Sequence, residues 1–177
     1  MQEVYITEDR LKRLKEHKEA LDNIEKQFDC KIEIVDKNII RINAPDAFNE
    51  YILKDVIFAF GRGFDLNIAM KLINEGEFFA IIDLGNIFKK REQIHRIKSR
   101  IIGTNGKTKL YIEQVSNTKL SIYGDTVAFI GSENGIHEAE TAVNAIIKGK
   151  THKTAYRNME AAHRKDKMQN EIDSIMK

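Results

Sequence analysis

One shift of 88 residues lays positions 24–61 over 112–149 without a gap, and this internal repeat constrains the fold more than any other feature of the chain. The matches fall where a core would be. Ile24-Glu25 meets Ile112-Glu113, Lys31-Ile32 meets Lys119-Leu120, Ile34 meets Ile122, Ile42 meets Ile130 and Gly61 meets Gly149. Each copy reads as a helix, an alternating strand (Lys31 to Val35; Lys119 to Tyr123), a turn and a second strand (Asn38 to Ile42; Thr126 to Ile130). A longer helix closes each, entered through a capping side chain, Asp46 in one and Asn134 in the other. Val4 to Ile6 and Phe79 to Leu84 add a first strand. The expected fold class is α+β: two tandem β-α-α-β-β-α units, each a three-stranded antiparallel sheet packed against three helices, plus a C-terminal helix. The units are expected over residues 1–75 and 76–150 and the basic helix over 151–177, with Leu66 to Ile73 as a short connecting helix.

The second copy holds Gly103-Thr104-Asn105-Gly106-Lys107-Thr108-Lys109 between two helical patterns, Lys89 to Ile102 and the amphipathic run with Leu110, Tyr111, Ile112 and Val115. Such a loop at a helix N-terminus suits an anion. Unpaired amides and the positive end of the helix dipole attract it, and glycine removes the Cβ that would hold a phosphate off the backbone. Helix, G-x-x-G, helix is how a KH module clamps single-stranded nucleic acid, and the two strands and helix that follow make the order type I. The nucleotide-triphosphate pattern G-x-x-x-x-G-K-[ST] shares Gly106-Lys107-Thr108 but needs glycine where Ile101 stands and a strand where a helix is predicted.

If the loop holds the backbone, bases lie in the groove beside it. The candidates there are Ile101, Ile102, Lys107, Thr108, Tyr111 and Ile112 from the helices and Leu120 and Ile122 from the strand, with Ile112 and Ile122 better read as core. Arg100, Lys107 and Lys109 are the expected phosphate partners. The predicted RNA-binding set is therefore Arg100, Ile101, Ile102, Gly103, Thr104, Asn105, Gly106, Lys107, Thr108 and Lys109, with Tyr111 and Leu120. In the first copy Lys15-Glu16-His17-Lys18 stands opposite the glycine loop. Four Cβ atoms and a carboxylate hinder a phosphate there, so that copy reads as a degenerate unit that packs or binds protein.

Charge is distributed to match. The chain carries a formal +2, yet Lys89 to Lys109 holds eight Lys or Arg against Glu92, a net +7, and Lys148 to Lys167 holds a net +5. The remainder is net acidic, a directed electrostatic footprint. The C-terminal run reads equally as a solvated helix face, and without a strong core stripe that helix is expected to dock on the body or on a partner. No tryptophan is present, so recognition by groove and backbone is expected rather than by stacking platforms. No catalytic residue, cofactor or metal is expected: His95, His137, His152 and His163 lack metal-ligand spacing, no Ser or Cys sits in a nucleophile elbow, and Cys30 stands alone. Glu3, Glu8 and Asp9 break any leader pattern, and Val56 to Phe60 and Phe78 to Ile82 are too short to span a bilayer, so a cytoplasmic protein without membrane contact is expected.

The chain resembles the small-subunit ribosome assembly factors with two KH domains known as partners of the NOB endonuclease, nearest the short archaeal form. The likeness rests on Arg100-Ile101-Ile102-Gly103-Thr104-Asn105-Gly106-Lys107-Thr108-Lys109, Ile112-Glu113, Ser121-Ile122-Tyr123-Gly124 and Gly149-Lys150-Thr151-His152-Lys153-Thr154-Ala155-Tyr156-Arg157. It implies one competent loop, in the second unit, and binding of single-stranded small-subunit rRNA in its 3′ region. The implied protein partners are the NOB-type endonuclease and other proteins of the precursor subunit. A general single-strand RNA-binding regulator and, further off, a nucleotide-dependent enzyme remain alternative readings.

Overall fold

Burial alternates along the first and third strands of the chain. In the computed structural model, which describes residues 1–175, β1 (Gln2–Tyr5), β2 (Lys31–Ile34) and β3 (Ile39–Asn43) form an antiparallel sheet in the order β1-β3-β2. Val4 lies opposite Ile40 and Ile32 opposite Ile42, which turns the buried Val4, Ile40 and Ile42 to one face. Helices α1 (Glu8–Glu16), α2 (Lys18–Phe28) and α3 (Ala47–Gly61) pack there. Asp46 caps α3 as expected, accepting from the amides of Phe48 and Asn49 at 3.2 and 3.4 Å. The other end of α3 is held by Arg10, which is buried with its guanidinium 4.1 Å from the Phe60 ring centroid. It donates from Nε to the Phe60 carbonyl at 2.9 Å and from Nη2 to that of Phe64. A cation satisfying terminal carbonyls also meets the negative end of the helix dipole. The short α4 (Leu66–Ala69) and a 3-10 turn over Met70–Ile73 follow, where the connecting helix is predicted.

The chain divides into two units, Met1–Glu75 and Gly76–Lys177. The second repeats the order with additions: β4 (Phe78–Asp83), α5 (Leu84–Ile87), α6 (Arg91–Ile102), α7 (Lys107–Ser116), β5 (Lys119–Tyr123), β6 (Thr126–Gly131), α8 (Glu133–Ile147) and α9 (His152–Ile175). Its sheet runs β4-β6-β5, antiparallel throughout, the same spatial order as the first. Both units therefore have the type I KH arrangement that the repeat implies. The repeated Ile-Glu pair has one job in both: Glu25 accepts from the Ile32 amide at 2.7 Å and Glu113 from the Leu120 amide at 2.8 Å. Each carboxylate thus pairs an amide of the edge strand beside it.

Most strand ends differ from the sequence reading by one or two residues, and three further boundaries change an element's start or cap. Leu84 is helical, because the Asp83 carboxylate accepts from the amides of Gly85 and Asn86 and turns the chain out of β4. The basic helix begins at Arg91 rather than Lys89. The cap of α8 is Ser132, whose hydroxyl accepts from the Gly135 amide at 3.1 Å, while Asn134 lies in the first turn. A larger correction concerns the tail. Helix α9 has a core stripe, since Ala155 and Met159 are wholly buried with Ile97, Ile101, Ile112, Phe129 and Ile146. Burying a Met side chain is worth about 1.5–3 kcal/mol, which ties α9 to the second unit.

Candidate nucleic-acid interface

The backbone at residues 103–106 adopts what only a glycine-rich sequence allows. Gly103 ends α6 at φ 73°, ψ 175°, a region essentially closed to side chains. Asn105 (φ 52°, ψ 31°) and Gly106 (φ 75°, ψ 8°) are left-handed, a conformation open to Asn and Gly. The Gly103 amide donates to Ser99 at 2.9 Å and the Gly106 amide to Gly103 at 3.2 Å, closing a tight one-turn loop. Thr104 and Asn105 stand exposed at its tip. Helix α7 then starts at Lys107, whose amide donates to the Thr104 carbonyl, and has no side-chain cap on the turn that follows. Its positive end is left open to an anion.

In the first unit the equivalent segment is a hinge, not a loop. Helices α1 and α2 are joined through His17 alone (φ −94°, ψ 33°), and no residue from 15 to 18 has a positive φ. The loss of glycine is thus a loss of the whole loop geometry.

The predicted site residues separate by environment. Ile102 and Leu110 are 38% and 53% exposed, large apolar surfaces flanking the loop on α6 and α7. Lys107 is exposed and has no ion-pair partner among the described residues. Ile101, Ile112 and Leu120 are core side chains, so they support the groove from beneath and offer bases no surface. Arg100 spends donors on the molecule itself: Nη1 reaches the Ile146 carbonyl at 3.1 Å and Nη2 the Lys150 carbonyl, pinning the corner between α8 and α9. Lys109 pairs with Glu113 at 3.2 Å one turn along α7.

Thr108 and Tyr111 face α9. The Tyr156 hydroxyl donates to Thr108 Oγ1 at 3.2 Å, the Tyr111 hydroxyl donates to Glu160 at 2.5 Å, and the two tyrosine rings lie 4.4 Å apart. The hydrogen bond to the Glu160 carboxylate raises the Tyr111 phenol above its ordinary value. His152 donates from Nε2 to the Arg100 carbonyl at 2.9 Å. His163 donates from Nδ1 to the buried Glu138 carboxylate at 3.0 Å. These inward contacts are not legible in the sequence, because nothing in a helical spacing says which face a neighbour covers. The signal available was the i, i+4 pair Ala155 and Met159.

Among the described residues no group of three or more His, Cys, Asp or Glu could hold a metal ion. No described helix is long and apolar enough to cross a membrane.

A model of the second KH domain of PNO1, a eukaryotic-type KH domain of type I, matches residues 78–164. The chain is 32% identical over 148 residues to a KH domain-containing protein of Methanocaldococcus jannaschii, covering 81% of this chain and 65% of that one. It is 33% identical over 111 residues to the RNA-binding protein PNO1 of Oryzias latipes, covering 60% of this chain and 45% of the relative. It thus spans less than two thirds of the length of either. Among solved structures it is similar to Dim2p of Pyrococcus horikoshii, with 34% identity, a TM-score of 0.80 and coverage of 91% of this chain and 99% of that one. Dim2p of the same organism has also been crystallised with a/eIF2alpha and rRNA, and that structure is 34% identical with a TM-score of 0.80, covering 93% of this chain and 94% of that one. A protein of unknown function from Aeropyrum pernix shares the fold at a TM-score of 0.90 and 23% identity over 99% of this chain and 96% of that one.

Proposed function

Because the chain belongs to the PNO1 (Dim2p) family of type I KH proteins, we propose that it binds single-stranded small-subunit rRNA, near the 3′ end, during ribosome assembly and rRNA processing. The observation that carries this reading is the loop backbone from Gly103 to Gly106, with positive φ at Gly103, Asn105 and Gly106 around an exposed tip. That the Pyrococcus relative was crystallised with rRNA supports it. A phosphate seats against the first amides of α7, where the dipole favours it, and Lys107 adds a full charge. Ile102 and Leu110 supply the apolar flank on which bases lie. The loop fixes the backbone and the groove reads the bases.

On this reading the protein works by binding rather than catalysis, in the cytoplasm, with a NOB-type endonuclease and other proteins of the precursor subunit as its partners. The direct test replaces Thr104 and Asn105 together by Asp, setting two carboxylates where a phosphate would lie. Affinity for single-stranded RNA should fall by roughly tenfold or more while the thermal transition stays in place, since both side chains are exposed. Unchanged affinity removes the loop as the clamp. Co-sedimentation with small-subunit precursors separates ribosome assembly from a general role in RNA regulation.

A further inference from the structure

We propose that the outward face of α9 is a second phosphate-tracking surface, which continues the RNA path away from the glycine loop. The proposal rests on the loop being the clamp. Lys153, Arg157 and Arg164 stand at i, i+4 and i+11, and at about 100° per residue they fall within roughly 40° of one another. That places them opposite the buried stripe of Ala155 and Met159. All three are exposed, and none has an ion-pair partner among the described residues. Glu160, the acid nearest this ridge, accepts the hydroxyl of Tyr111 and is drawn toward α7.

Placement beside the loop follows from the hydrogen bonds. His152 and Tyr156 fasten one flank of α9 to Arg100, in the last turn before the loop, and to Thr108, in the first turn after it. Lys153 and Arg157 follow those two residues in the chain, about a quarter turn further round the helix. A strand leaving the loop therefore meets a row of cations that extends about 16 Å along α9 at 1.5 Å per residue. Exposed cations with no ion-pair partner suit a nucleic-acid backbone, and their contribution is independent of sequence.

The test replaces Lys153, Arg157 and Arg164 by Gln, which keeps helix propensity. Binding is measured against salt for a tetranucleotide, the length a KH loop clamps, and for a single strand about three times longer. On the longer strand the slope of log affinity against log salt should flatten by about 2, at roughly 0.7 per lost contact. Tetranucleotide binding should be unchanged. An unchanged slope on the longer strand overturns the proposal and leaves the ridge to an acidic protein surface. So does an equal loss on the tetranucleotide, which would mean that the loop itself had been disturbed. If the triple variant shifts the thermal transition, Arg164→Gln alone, farthest from the loop, should still flatten the slope by about 0.7. Thr104→Asp with Asn105→Asp, run in parallel on the tetranucleotide, reports on the clamp separately.

Discussion

Gly103 and Gly106 are glycines for different reasons, and the difference is measurable. A Cβ on Gly103 would lie 2.2 Å from Thr108 Oγ1 and 2.9 Å from the Thr108 amide nitrogen, on a backbone that already excludes side chains. A Cβ on Gly106 would meet nothing within 4 Å, so its only penalty is the left-handed φ. Gly103→Ala should therefore cost about 2–3 kcal/mol or more, strain and clash together, against about 1 kcal/mol for Gly106→Ala. Urea unfolding of the two variants measures this, and equal costs would contradict the packing of Thr108 under Gly103. At this scale the loop was legible in sequence because glycine at fixed spacing has few other uses. The roles of Arg100, Thr108 and Tyr111 were not, since a cation or hydroxyl near a phosphate loop looks the same in sequence whether it faces solvent or α9.

Helix α9 shows how an element hides from periodicity. Its inward face presents Ala155 and Met159, and alanine adds little hydropathy, while the basic residues dominate the composition of the segment. What docks it is polar as much as apolar: Tyr156 on Thr108, Tyr111 on Glu160, His152 on Arg100 and His163 on Glu138. Met159→Ala should open a cavity in the core of the second unit and cost about 2–5 kcal/mol. A loss of unfolding free energy of that size confirms α9 as part of the folded body, and a change below about 0.5 kcal/mol, typical of surface sites, would make it an appendage. Strand β5 and helix α6, by contrast, carry their apolar residues at two- and three-to-four-residue spacing, and they and β4, a short apolar run, are legible to within two residues.

Across the whole molecule one architecture is written twice, and the second copy alone carries the glycine loop. Both sheets have the same order and β2 and β5 each lean on the glutamate at the equivalent position, yet the first unit joins its helices through His17 and the second through a glycine loop. Acids at Lys15 and Lys18 should therefore lower RNA affinity by less than about threefold, within the reach of long-range charge alone. The matching pair at Thr104 and Asn105 should lower it by roughly tenfold or more. Equal losses in a filter-binding titration would give the first unit an RNA site of its own. The fastening of α9 also bears on how such a protein is made. His152 closes on Arg100 across 52 residues of chain, so during synthesis the loop emerges long before the helix that braces it. A nascent chain carries the glycines without their support, and the loop gains its full bracing only when α9 has left the ribosome and docked.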